Sequence, residues 1–246
     1  MSLLDVAGVT RRFGGVVAVN AASLSVPEGA IVGLIGPNGA GKTTLFGIIS
    51  GFVAPSAGSV TWDGTDITAL PPHRRAQAGI ARTFQIVQPF AGLSVVENIA
   101  VGAYLRHPRR ADATRIATAI AHRLGLGAML DRPAAALTVA GRKRLELARA
   151  LATGPRLLLL DEVLAGLNPS EIRDIIPLIQ AIRAEGVTIL MIEHVMQAVM
   201  NLCDHLYVLA EGRMIAEGNP VTVCTDPMVI EAYLGHGAAA RMQSHA

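Results

Sequence analysis

Hydrophobic positions along the chain follow two rhythms, one close to every second residue and one close to every third or fourth. "LLDVAGV" near the start alternates and predicts a strand, and "SLSVPEGAIVGLIG" predicts two more, separated by Pro27 and Gly29. After "GPNGAGKTT" the spacing turns helical. Leu45, Ile48 and Ile49 share one side, and Gly51 stands where a helix C-cap is expected. "GSVTWDGTDI" predicts a hairpin with Asp63-Gly64 as its turn. Between residues 86 and 150 strands fade, Ala, Leu and Arg dominate, and "RHPRR" and "LGLGAMLDRP" separate successive helices. From residue 155 strands and helices alternate again: "RLLLLDE", a helix from 169, "VTILMIEH", a helix near 196, then "HLYVLAEGRMIAEG" as a hairpin. The pattern predicts an α/β core, residues 1–85 and 151–235, interrupted by a helical insertion over 86–150. Residues 236–246 offer nothing to bury and read as a frayed tail.

Composition narrows the class. Hydrophobic residues make up 51% of the 246 and charged residues 16%, so the chain is globular. Its mean hydropathy of +0.44 is high, yet no apolar run reaches the length of a membrane span. Asp5 interrupts the N-terminus before any long apolar stretch, which excludes a secretory signal there. The excess apolarity therefore belongs to a large core or to a surface meant for a partner. A net charge of +2 gives no argument for nucleic acid or an anionic membrane surface. Cys203 and Cys224 lack metal-site spacing and read as reduced, buried thiols of a cytosolic protein.

The strongest chemical signal is "GPNGAGKT", residues 36–43, lying after an apolar strand and before a helix. Gly36, Gly39 and Gly41 let the backbone curl so that its N–H groups face phosphate oxygens. The helix N-terminus adds partial positive charge. Lys42 is placed to reach the β and γ phosphates, and the Thr43 hydroxyl to hold Mg²⁺. "LLLLDE" then ends an apolar strand in Asp161 and Glu162. An Asp at that position can bind Mg²⁺ directly or through water, and the adjacent Glu can take a proton from the attacking water. The next core strand ends in Glu193-His194, where a parallel sheet gathers ligand-facing residues.

This order of motifs resembles the ATP-binding subunits of ABC transporters over nearly the whole chain. The resemblance implies a P-loop NTPase core with an antiparallel β subdomain and an inserted helical subdomain. It implies ATP and Mg²⁺ as ligands: Phe13 stacks on adenine, and Gly36, Pro37, Asn38, Gly39, Ala40, Gly41, Lys42, Thr43 and Thr44 hold the phosphates. Gln85 in "RTFQ" falls at the glutamine that touches Mg²⁺ and the attacking water, Asp161 at the metal-binding aspartate, Glu162 at the general base and His194 at the γ-phosphate sensor. "AGLN", residues 165–168, falls at a loop that communicates between two subunits. "GIARTFQ", "EHVM", "DEVLAGLNP" and "VIEAYLG" are similar to one branch, the importers of branched-chain amino acids and related small amides.

In that family a second subunit completes the ATP site with a Leu-Ser-Gly-Gly-Gln signature at a helix start. "LTVAGRKRLELARAL" aligns to it without gaps, with Thr138, Val139, Ala140 and Gly141 in place of Ser-Gly-Gly-Gln. A hydroxyl and backbone N–H groups at a helix N-terminus survive, which is the physical minimum for an anion site. The missing glycines predict weaker or slower ATP-driven closure. Arg142, Lys143 and Arg144 oppose the helix dipole and are read either as a docking place for an anion or as a solvated basic face. "NPSE" from Asn168 makes a good helix start by itself.

The resemblance thus implies a subunit peripheral to the cytoplasmic face of the inner membrane. Its implied partners are a second ATP-binding subunit, transmembrane permeases and indirectly a substrate-binding protein, with no role for nucleic acid. "IVQPFAGLSVVENIAVGAYL" after Gln85 is the expected docking surface, with Phe90 and Val95 open to a reading as core. The alternative class is a soluble non-transport ABC ATPase or a nucleotide-sensing regulator. Against it stand the single cassette, the absence of a long coiled-coil insertion, and the presence of both Lys42 and Glu162.

Overall fold

Glycine and proline punctuation divides the chain into short strands and helices, and the computed structural model describes residues 2–86 and 88–234. In order these are β1 (Ser2–Phe13), β2 (Val16–Pro27), β3 (Ile31–Ile35), α1 (Lys42–Ser50), β4 (Ala57–Trp62), β5 (Thr65–Asp66), α2 (Pro72–Ala78) and β6 (Ile80–Arg82). Then follow α3 (Val95–Ala103), α4 (Arg110–Arg123), α5 (Val139–Ala152), β7 (Leu157–Asp161) and α6 (Pro169–Ala184). The last are β8 (Thr188–Ile192), α7 (Met196–Leu202), β9 (His205–Ala210), β10 (Arg213–Gly218), α8 (Pro220–Cys224) and α9 (Pro227–Leu234). The expected frayed tail at 236–246 lies outside the described residues.

Two compact units emerge, one gathering residues up to Pro72 and from Thr188 onward, the other spanning His73–Val187. Composition drew boundaries where helices begin and end, at 85/86 and 150/151. Packing divides the chain elsewhere, so that β6, β7 and α6 fall in the same unit as the inserted helices.

The first unit contains the antiparallel sheet β2-β1-β4-β5, with the hairpin turn at Asp63 and Gly64, both at positive φ. It also carries β3 in parallel with both β8 and β9, and β10 antiparallel to β9. All five residues of β3 and all five of β8 are buried, as expected of parallel strands covered on both faces. In the second unit β6 runs parallel to β7, and α3 packs against α4 and α5. Ala113, Ala117 and Ala121 line the buried side of α4, where their small side chains permit close helix packing.

Helix starts are specified locally. Ser94 and Glu97 form a capping box on α3, and Asn168 and Glu171 form another on α6, with Pro169 in the first turn. Asn168 therefore does the capping expected of "NPSE". Cys203 is buried and Cys224 half-buried, both free thiols, and burial pushes Cys203 up to about 12. The expectation of two buried thiols thus holds fully only for Cys203.

Candidate functional site

The first unit supplies a phosphate-binding loop. β3 ends at Ile35, residues 36–41 curl, and α1 begins at Lys42 with Gly41 as its left-handed cap at φ 103. Lys42 is 8% exposed, and its ammonium donates to the carbonyl oxygens of Gly36 at 2.7 Å and Pro37 at 2.9 Å. The cation thus folds back over the loop, and an incoming anion must draw it from two neutral carbonyls. A phosphate is the stronger acceptor, because its own negative charge adds attraction to the hydrogen bond. Asn38, Gly39 and Thr43 are exposed, Pro37 and Thr44 half-buried, and Ala40 is buried with its carbonyl accepting from the Gly212 N–H at 2.9 Å. At the other end of the loop, the Gly36 N–H donates to the Tyr233 hydroxyl at 2.6 Å.

His194 is exposed two residues past the end of β8. Because Leu34 of β3 pairs with Ile192, the loop and His194 leave adjacent parallel strands at the same edge. Phe13 ends β1 and is 46% exposed, with the Arg11 guanidinium 4.5 Å from its ring centroid. One face of the ring is thus covered by a cation, and much of the ring stands open to solvent.

The second unit gathers the acidic residues. Asp161, 2% exposed, closes β7, and its Oδ2 meets Arg82 Nη2 at 2.8 Å. The Asp161 N–H donates to the Thr83 hydroxyl at 3.0 Å. Asp161 Oδ1 is buried and has no hydrogen-bond partner among the described residues. A buried carboxylate oxygen left so is costly unless water or a cation meets it, and a hard cation such as Mg²⁺ takes such oxygen donors. The donor chemistry of Asp161 therefore fits that ion.

Glu162 follows at φ 49, in the left-handed region. Such a conformation in a non-glycine residue costs about 1–3 kcal/mol and needs support. That support comes from Lys143, which donates to the Glu162 carbonyl at 2.9 Å and to the Gln85 carbonyl at 3.3 Å. Gln85 Nε2 in turn donates to Glu162 Oε2 at 2.6 Å. Gln85 thereby holds the carboxylate and Lys143 the backbone of a residue distant from both in sequence.

Thr138 caps α5 by accepting from the Gly141 N–H at 3.1 Å, and α5 starts at Val139. None of Val139, Ala140 or Gly141 lies at positive φ, so the backbone here makes no demand for glycine. Val139 is 50% exposed, and with Gln85, Arg142 and Lys143 it lines a hollow of about 180 Å³. Lys143, read from sequence as part of a basic turn, is only 8% exposed and bound to carbonyls, which corrects its place in a solvated basic face. Thr138→Ala removes the cap and should lower stability by about 1 kcal/mol. Thermal unfolding should record that as a fall of about 2–4 °C.

Sequence reasoning missed Arg82, Thr83, Lys143 and Tyr233. A strand-end Arg-Thr directly before Phe84-Gln85 was visible, but pairing with Asp161 depends on β6 lying beside β7. A lysine two residues past a glycine in a basic run gave no sign of its burial. Tyr233 sits in the quoted "VIEAYLG" without an assigned task.

The ABC transporter family model matches residues 19–165, and that of the branched-chain amino acid ATP-binding cassette transporter matches residues 213–239. The chain is 42% identical to the high-affinity branched-chain amino acid transport ATP-binding protein BraF of Pseudomonas aeruginosa, over 95% of this chain and 98% of that protein. It is 40% identical to the corresponding protein LivG of Escherichia coli, with the same coverage. Among solved structures, a nucleotide-free ATP-binding cassette from an ABC transporter superposes with a TM-score of 0.88 at 34% identity, over 96% of this chain and all of that one. An ATP-binding cassette of an ABC transporter in its ADP conformation gives 0.87 at 34% identity, with the same coverage.

Proposed function

Because the chain belongs to the ABC transporter ATP-binding family, we propose that its ATP hydrolysis drives an importer of branched-chain amino acids or related small amides. The observation that carries the chemistry is the Gln85–Glu162–Lys143 arrangement, a carboxylate held in a supported conformation. The substrate class is supported by the family segment at 213–239 and by relatives that are named for branched-chain amino acid transport. A soluble ATPase or a regulator is not favoured.

In this reading Phe13 stacks on adenine, and residues 36–44 and Lys42 hold the phosphates. Thr43 would hold Mg²⁺ and so, directly or through water, would Asp161 and Gln85. The ion, when bound, neutralises charge developing on the phosphates. Glu162 accepts the proton of the attacking water, and His194 positions that water against the γ-phosphate. A second ATP-binding subunit, identical or related, presents its own Thr138–Gly141 helix start to the nucleotide. That signature works without its two glycines, with slower closure.

The subunit sits peripherally on the cytoplasmic face of the inner membrane against permease subunits, which receive solute from a binding protein. No described helix is long and apolar enough to cross a membrane. Ile86, Phe90, Val101 and Tyr104 are exposed by 42–74%, while Val95 and Ile99 are fully buried. The apolar segment after Gln85 thus divides into a core side and an outward side suited to a membrane subunit.

The test is uptake. The chain, assembled with its membrane subunits in proteoliposomes with ATP on its own side, should accumulate leucine delivered by the binding protein. Accumulation of an unrelated solute such as a sugar, and not of leucine or a small amide, overturns the substrate reading.

A further inference from the structure

The helix α9, which carries "VIEAYL", has no task in the ATP chemistry above, yet it reaches the phosphate loop. α9 packs on β10 and is anchored by Val229, 4% exposed. Near its end the Tyr233 hydroxyl accepts a hydrogen bond of 2.6 Å from the Gly36 N–H, 197 residues away in sequence. Gly36 is the first residue of the loop, directly after Ile35, which pairs with Val208 of β9. Its carbonyl is held by Lys42 at 2.7 Å.

These two holds differ in what a nucleotide does to them. Lys42 must leave the carbonyls of Gly36 and Pro37 to reach a phosphate, whereas the Gly36 N–H is directed at Tyr233 and leaves the later N–H groups of the loop to meet the phosphates. The Tyr233 bond therefore persists through the exchange and keeps the loop start in place while the rest of the loop changes partners. A loop pre-set for its ligand loses less conformational freedom on binding and binds more tightly. Burial, opposed by the Gly36 N–H, raises the Tyr233 pKa, so the hydroxyl stays neutral at physiological pH.

Resting on the reading of residues 36–44 as the ATP phosphate site, we propose that Tyr233 is a positioning residue for nucleotide binding. Through its hydroxyl the C-terminal helix sets the affinity of the phosphate loop.

The experiment compares the parent, Tyr233→Phe and Met228→Ala in ATP titration calorimetry, steady-state turnover and thermal unfolding without nucleotide. Tyr233→Phe keeps the ring and removes one hydrogen bond; Met228 is 59% exposed on the same helix and serves as the control. Loss of one such bond should raise the ATP dissociation constant and KM by about 3- to 10-fold. Saturating turnover should stay within about twofold. Nucleotide-free unfolding should fall by about 2–4 °C, since the bond is already formed before nucleotide binds. Met228→Ala should match the parent in all three. An ATP affinity of Tyr233→Phe equal to the parent's overturns this inference alone, as does an affinity loss that Met228→Ala reproduces. Absence of ATP binding in the parent overturns the phosphate-site reading and this inference with it.

Discussion

Gly36→Ala should unfold well below the parent and lose ATP binding. Gly36 lies at φ 147, a region that L side chains rarely adopt, and a Cβ built there would overlap the carbonyl oxygen of Leu209 on β9. Neither fault can relax easily. The carbonyl belongs to a buried strand, and the loop is tied at both sides of Gly36 by Tyr233 and Lys42. Backbone strain alone accounts for about 1–3 kcal/mol. With the steric overlap the total should reach about 3 kcal/mol or more. Thermal unfolding should then fall by about 6 °C or more. Gly39→Ala is the internal comparison: φ 80 imposes strain, but no atom lies within 4 Å of the added carbon. It should cost about 1–2 kcal/mol. Equal unfolding temperatures for the two variants would show that the Leu209 contact does not constrain the loop.

Lys42→Met should leave the fold nearly intact and weaken ATP binding by about 10-fold or more. The two bonds to Gly36 and Pro37 carbonyls hold the ammonium in a site only 8% exposed. Methionine fills the stem's space without a charge but abandons a buried Gly36 carbonyl and a part-buried Pro37 carbonyl, a loss without nucleotide of about 1–3 kcal/mol that leaves the fold standing. Toward ATP the ammonium exchanges neutral acceptors for anionic ones, and a charge-assisted bond contributes about 1.5–3 kcal/mol. Titration calorimetry at fixed Mg²⁺ measures the change. An unaltered dissociation constant would show that the phosphates sit elsewhere.

Much of this arrangement was legible in the sequence because it is local. The phosphate loop is one contiguous motif, its helix starts where glycine ends, and Gly51 closes that helix as expected. The hairpin at Asp63-Gly64 and the cap at Asn168 depend on a few neighbouring residues. Asp161 and Glu162 were visible because a fully buried strand ends in charge. What stayed hidden was long-range. Arg82 meets Asp161 across 79 residues of chain, Lys143 meets Gln85 across 58, and Tyr233 meets Gly36 across 197. No periodicity or motif spacing encodes such pairs; they exist because strands and helices pack in one particular order.

The altered signature shows a different limit. Val139 and Ala140 looked unfit for a phosphate-gripping turn because such turns often need positive φ. The helix α5 begins at that residue with ordinary helical geometry, capped by Thr138. Side-chain bulk at the exposed Val139 is then the physical difference from a glycine pair, while backbone strain is absent. Lys143 shifts the reading of the basic turn in the same way, since its charge points inward to the Glu162 and Gln85 carbonyls.

The account rests on Glu162 as the residue that activates water, and phosphate release by Glu162→Gln tests that most directly. With Mg²⁺ and saturating ATP, the variant should bind ATP as the parent does and release phosphate about 100-fold more slowly or less, the contribution expected of a general base. Phosphate release at the parent's rate, with ATP binding intact, would contradict it.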